Sequence, residues 1–196
     1  MDESDSRGAI KQLAEELLVR HGFRGMSFAD IAERRGITRA NIHYHFGSKA
    51  ALIDEVLADY TTATLGSLRQ VWESESTSLL QKLDQMLLVS RERYNRFNLS
   101  GGPVRPWSLI SRLRQDGDLL SDEGRACLAQ FTSELRDIFA KALRRAAAAG
   151  EMRGDVDAAI TLLVAIADSA APITIAEGGF DGLEAAYKAL AKLMLT

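Results

Sequence analysis

Residues 27–49 read SFADIAERRGITRANIHYHFGSK, and no other stretch restricts the fold of this chain as tightly. Ser27 is placed to N-cap a helix, with Asp30 three residues on in the capping-box position, where a carboxylate also suits the helix dipole. Phe28, Ile31 and Ala32 fall on one face of that helix. Gly36 ends it, because glycine readily adopts the left-handed conformation needed just past a helix. Thr38 caps a second helix. Ile37 before that cap and Ile42 four residues after it are spaced as a hydrophobic staple, which sets the entry angle. Ile42 and Phe46 at i and i+4 form the inward stripe, so Arg39, Ala40, His43 and Tyr44 point largely the other way. Gly47-Ser48 stops this helix and caps a third. Two short braced helices, the second exposing polar, basic and aromatic groups, make the construction of a helix-turn-helix DNA reader.

Charge agrees with that reading. Between Arg34 and Lys49 stand Arg34, Arg35, Arg39 and Lys49, with no carboxylate, while His43 and His45 add latent positive charge. The whole chain has a formal net charge of -3, so the basic strip is local. That suits docking of one face on DNA and not general coating of nucleic acid. Lys49 lies in the first turn of the third helix, where the dipole disfavours a cation. Its ammonium group either grips a phosphate together with the helix N-terminus or is simply solvated.

The same residues carry a family resemblance. ITRANIHYHFGSKAAL, preceded by SFADIAERRG, resembles the DNA-binding signature of the TetR (tetracycline repressor) family. That pattern runs through a Gly-Val/Ile-Ser/Thr turn, a Tyr/His-Phe pair, and Ser-Lys followed by a hydrophobic residue. The resemblance implies that Thr38, Tyr44 and Lys49 contact phosphates and that Arg39, Ala40, Asn41 and His43 face the bases. Ser27 and His45 complete the expected DNA-binding set. His43 departs from the Tyr or Phe common at its position. A second stretch, NLSGGPVRPWSLISRL, resembles one branch of the family, with Gly102 where Cys is common.

The remainder fits a second domain. With 196 residues, 46% hydrophobic and 26% charged, the chain has the composition of an ordinary globular protein. Three prolines, abundant Ala, Leu and Glu, and no strand alternation favour an all-α fold. The expected division is a helix-turn-helix domain over residues 1–50 and a helical effector-binding and dimerisation domain over 51–196. Residues 1–8 are acidic and polar and read as a disordered lead-in, not a signal peptide. Ile10, Leu13, Ala14, Leu17 and Leu18 mark one face of a first helix ending at His21-Gly22. A long helix follows Lys49 toward Val71, a break covers 74–78, and further helices are expected over about 79–97 and 107–114. Gly101-Gly102-Pro103 and Asp116-Gly117-Asp118 read as breaks. Leu128, Phe131, Leu135, Phe139 and Leu143 give a sustained 3.6-residue stripe. Residues 158–171 are apolar on nearly every face, and a final helix from about Phe180 carries a leucine-rich stripe.

Two such helices per chain can pair with their copies as a two-fold bundle or pack inside one subunit. The resemblance implies the homodimer, with Leu163, Ile166, Leu183, Tyr187, Leu190 and Met194 as its expected interface. It also places Trp72, Met86, Tyr94, Phe97, Trp107 and Phe131 in the segments that enclose a small-molecule effector; they are equally good core residues.

Other chemistries find little support. A single cysteine, Cys127, excludes an intramolecular disulfide and a cysteine-cluster metal site, leaving a small core residue or a redox sensor. His43 and His45, two apart on a helix, diverge too far to chelate one ion. His21 reads as a partner of a helix C-terminus, Asp155 and Asp157 as N-capping residues. Lys141, Arg144 and Arg145 read as a solvated face. There is no HExxH, GxSxG or phosphate-cradling glycine loop, so neither an enzyme nor a cofactor is expected. The reading is a cytoplasmic, dimeric regulator that binds a palindromic double-stranded operator and is released by an effector, with no membrane partner. The alternative is a helical ligand-binding or interaction protein that no longer reads DNA.

Overall fold

The computed structural model describes residues 3–99 and 102–195. Gly101, expected to help end a helix, lies outside the described residues. Among the described residues there are ten α-helices: α1 (Glu3–Gly25), α2 (Phe28–Arg35), α3 (Arg39–Phe46), α4 (Lys49–Trp72), α5 (Leu79–Asn98), α6 (Leu109–Gln115), α7 (Asp122–Ala148), α8 (Val156–Asp168), α9 (Ala170–Ala176) and α10 (Asp181–Met194). A 3₁₀ turn covers Gly117–Leu119. The only β pairing described is one isolated bridge, Met152 to Leu195. The fold is all-α, as expected. Helix α1 already begins at Glu3, within the segment read as a disordered lead-in.

The chain forms two compact units. The first comprises Met1–Thr62 and Ser108–Ala129, the second Ala63–Trp107 and Gln130–Thr196. The first unit therefore reaches beyond the expected limit at residue 50 and recruits a distant segment, because α6 packs on α1. Its core is built from Ile10, Leu17, Leu18, Met26, Ile31, Ile42, Leu52, Ile53 and Leu57, all essentially inaccessible to solvent. Burial on this scale, at roughly 25 cal/mol per Å² of apolar surface, fixes the short helices α2 and α3, which are too short to persist alone.

The second unit packs α10 against α5, α8 and α9. Trp72 and Phe139 meet edge to face with ring centroids 4.6 Å apart, and the Trp107 indole N–H donates to Thr174 Oγ1 at 2.8 Å. Lys82 is buried. Its ammonium donates to the carbonyls of Trp72 at 3.3 Å, Val71 at 3.4 Å and Ser74, so it satisfies the end of α4 that would otherwise be left unpaired. Burial lowers the Lys82 pKa, Arg145 acts the same way, and Glu151 opposes them.

The apolar run 158–171 is not one helix. It divides at Ser169 into α8 and α9, bent by 62°. Pro172 supplies the reason: inside a continuous helix it would clash with the Asp168 carbonyl and leave it without a donor, whereas in the first turn of α9 its missing N–H costs nothing. No single described helix is long and apolar enough to cross a membrane.

The residues expected at a dimer interface lie on α8 and α10. Leu163, Leu183, Tyr187, Leu190 and Met194 are all buried inside their own unit, and Ile166 is half-buried. Within this unit α10 meets α5, α8 and α9, and α8 meets α9. The residues these helices leave exposed are others, Leu162, Ile175 and Leu193 among them.

Candidate nucleic-acid interface

Helices α2 and α3 form as the sequence chemistry dictates. Ser27 caps α2 with a reciprocal capping box: Asp30 N–H donates to Ser27 Oγ at 3.3 Å, and Ser27 N–H donates back to the Asp30 carboxylate at 3.0 Å. The Ser27 hydroxyl also donates to Asp30 at 2.6 Å. That hydroxyl contact is the main reason the Asp30 pKa lies below its ordinary value. Gly36 ends α2 in the left-handed conformation, and Thr38 caps α3 by accepting from Asn41 N–H at 3.2 Å. Ile42 and Phe46 are buried while Thr38, Arg39, Ala40, Asn41, His43 and Tyr44 are exposed. Tyr44, 78% exposed, is a large ring held in solvent with no core role.

The two histidines of α3 are held differently. The His43 ring stands edge to face on Phe28, centroids 4.8 Å apart, with Nδ1 3.0 Å from the Gly47 carbonyl. His45 is half-buried between the rings of Tyr44 and Phe46, at 5.5 and 6.1 Å. Its carbonyl, in the last turn of α3, accepts from the Arg7 guanidinium, which also pairs with Glu55 and lies 4.5 Å over the Phe46 ring. A cation there complements the negative end of the α3 dipole.

Lys49 is not simply solvated. Its ammonium sits 4.6 Å over the Phe23 ring, a cation–π contact. Burial lowers its pKa, while the Asp30 and Asp116 carboxylates act to raise it. Phe23 is itself fixed by an unusual joint. Gly22 interrupts α1 with φ 71° and ψ -172°, and Arg112 of α6 and its C-cap Asp116 bond the backbone on either side. Phe23 N–H donates to Asp116 Oδ2 at 2.7 Å, and the Arg112 guanidinium donates to the His21 carbonyl at 3.2 Å. His21, expected at a helix end, contributes its backbone there. Gly22 and Asp116 were legible only as local breaks, and Arg7, Phe23 and Arg112 not at all, because the partners that make them support the site lie 38 to 93 residues away.

Arg34, Arg35 and Arg39 are exposed on the same two helices. The arrangement is a capped helix whose outer face offers donors, acceptors and cations, with a further lysine at the start of α4. Residues 10–56 match the family model described as bacterial regulatory proteins, tetR family. Over those residues the chain is similar to that family. It is 31% identical over 86 residues to the transcriptional repressor KstR2 of Mycolicibacterium smegmatis, covering 44% of this chain and 42% of that protein. It thus matches less than half the length of that relative. It is 25% identical to KstR2 of Rhodococcus jostii over 157 residues, 79% of this chain and 72% of that one. A TetR family regulator from Agrobacterium tumefaciens superposes over all of both chains with a TM-score of 0.87 at 20% identity, which establishes the shared fold.

The residues that the TetR resemblance placed around an effector all fall in the second unit. Trp72, Met86, Phe97, Trp107 and Phe131 are buried and Tyr94 is half-buried. Tyr94 meets Trp107 and Phe180 with centroids 6.3 and 5.3 Å apart, whereas Trp72 pairs with Phe139. They form more than one ring cluster. A cavity of about 430 Å³ lies elsewhere in this unit, lined by Lys82, Arg145 and Glu151 among others. Cys127 is half-buried, its sulfur 3.4 Å from the Thr61 hydroxyl. Asp155 caps α8 as expected, accepting from the backbone N–H groups of Asp157 and Ala158.

Proposed function

We propose that this protein is a DNA-binding transcriptional repressor of the TetR family that acts as a homodimer on a palindromic operator. The observation that carries the reading is α3: its cap and its buried stripe leave Arg39, Ala40, Asn41, His43 and Tyr44 exposed together. Arg39 and Asn41 suit direct readout of base edges in a major groove. Thr38, Tyr44 and Lys49 are the proposed phosphate contacts, which fix register without reading sequence. The repressor role rests on the two KstR2 relatives, which are repressors by name.

Two copies related by a two-fold axis would present two α3 helices to two half-sites, and each half-site adds its free energy. Because the α10 stripe is spent inside its own unit, the proposed self-docking face is the exposed one: Ala158, Leu162 and Ala165 on α8, with Leu193 on α10. Small residues at Ala158 and Ala165 allow close helix approach. The second unit is proposed to take a small apolar or amphipathic effector among its aromatic residues. Such a ligand relieves repression only if it binds the non-DNA-binding conformation more tightly.

Selection of bound DNA from a random pool tests the core of this reading. A palindromic consensus with affinity that falls steeply as salt rises is expected. Enrichment of no sequence, or of an asymmetric half-site alone, would reject the dimeric operator reader.

A further inference from the structure

His43 is held in a way that fixes which of its ring nitrogens carries the proton. Gly47 makes two bonds to it: its N–H donates to the His43 carbonyl at 2.8 Å, and its own carbonyl lies 3.0 Å from His43 Nδ1. The second bond is possible because Gly47, with φ 70° and ψ -56°, turns its carbonyl back toward the helix it ends. A carbonyl oxygen can only accept, so Nδ1 carries the proton. The neutral imidazole then has a bare lone pair on Nε2, and that nitrogen is an acceptor. The Phe28 ring, standing edge to face at 4.8 Å, restrains the imidazole against flipping. The neighbours on the reading face differ in kind: Arg39 only donates, Ala40 is apolar, and the Asn41 amide can do either. His43 alone offers a lone pair whose orientation is set by the protein.

We infer that His43 is a specificity-determining residue that recognises an exocyclic amino group, N6 of adenine or N4 of cytosine, through an Nε2 acceptor. The inference rests on the proposed reading of α3 as the base-facing helix. In the major groove those amino groups are the only donors; guanine O6 and N7, adenine N7 and thymine O4 are acceptors. An acceptor locked on the protein side therefore pairs with the amino groups and repels the rest.

The test uses the full-length protein at pH 8.5, in the range where imidazole side chains are ordinarily neutral. The base pair assigned to His43 is the one whose identity ceases to matter in both His43→Ala and His43→Phe. The second variant keeps a ring against Phe28 and removes both nitrogens. At that pair, adenine is replaced by purine, or cytosine by 2-pyrimidinone, which deletes only the amino group. Wild type is expected to lose about tenfold in affinity, within the usual range for a good base contact, and both variants are expected to be indifferent to the analogue. A 7-deazapurine at the same pair, lacking the N7 acceptor, is expected to change little. Wild-type binding that survives amino deletion, or that falls instead with the 7-deazapurine, overturns the acceptor assignment. Two variants that keep every base preference overturn His43 as a reader while leaving the DNA-binding proposal standing. A wild type that enriches no sequence overturns both.

Discussion

Gly22→Ala is the sharpest probe of how the first unit is held together. Gly22 sits at φ 71° and ψ -172°, a backbone region open almost only to glycine; forcing another residue into it costs about 1–3 kcal/mol. Space adds a second penalty. A Cβ there would lie 2.5 Å from Asp116 Oδ2 and 2.6 Å from Arg112 Nε, too close for either side chain to stay. If they move, Phe23 N–H and the His21 carbonyl lose their α6 partners. Hydrogen bonds to charged groups are worth about 1.5–3 kcal/mol each, less here because both side chains are partly exposed to water that can replace them. Together the two effects amount to roughly 2–5 kcal/mol, a large share of the 5–15 kcal/mol typical of a domain. Urea unfolding followed by circular dichroism reads this directly. Gly8→Ala is the control: Gly8 lies on the same helix with nothing near its missing Cβ, and alanine there is expected to stabilise by about 0.5–1 kcal/mol. Adding Asp116→Ala to Gly22→Ala removes part of the clash, so the double variant is expected to be less destabilised than the sum of the singles. A Gly22→Ala protein within about 0.5 kcal/mol of wild type would refute the joint, since surface substitutions of no structural consequence fall in that range. So would strict additivity in the double variant.

Four further outcomes are expected. Lys49→Ala weakens binding to operator and random DNA alike and reduces the salt slope by about one; a loss confined to the operator would contradict a phosphate contact. Ser27→Ala costs about 1 kcal/mol of stability at neutral pH. Because the Asp30 pKa is lowered by that hydroxyl, its contribution is present above the unfolded carboxyl value and lost as pH falls through the folded one. The gap between variant and wild type therefore narrows in acid, and a gap that widens below pH 4 would reject the linkage. Tyr187→Phe leaves stability unchanged or raises it, because the buried hydroxyl finds no hydrogen-bond partner among the described residues; a loss above about 1 kcal/mol would show a partner that matters. Leu162→Glu lowers the sedimenting mass to that of a monomer while helicity persists, and an unchanged mass would reject the proposed self-docking face.

What was legible in the sequence was local. The Ser27–Asp30 box, the Thr38 cap and the inward pair Ile42 and Phe46 each depend on residues within one or two turns, and all appear in the structure. The joint at Gly22 was not legible, because its chemistry joins positions some ninety residues apart. The Lys49 environment was hidden for the same reason: Phe23 and Asp116 reach it only once α1 and α6 have packed. The break between α8 and α9 was announced by Pro172, but an apolar run that suits a buried helix on every face masks a bend within it.

The leucine stripe of α10 shows a deeper limit. Periodicity reports that one face of a helix must be covered, and it is silent on whether the cover comes from the same chain or from another. Leu183, Tyr187, Leu190 and Met194 have their cover within their own unit. That moves the burden of self-association onto residues that pattern reading ranks low, such as Ala158 and Ala165, whose small side chains give no strong hydrophobic signal. If the protein is a dimer, its interface must then draw its free energy from close helix approach plus the few large exposed groups, Leu162 at 47% and Leu193 at 69% exposed. Such an interface has few anchors, so a single charge at Leu162 should break it, whereas Leu190→Glu should unfold the unit before it separates the copies.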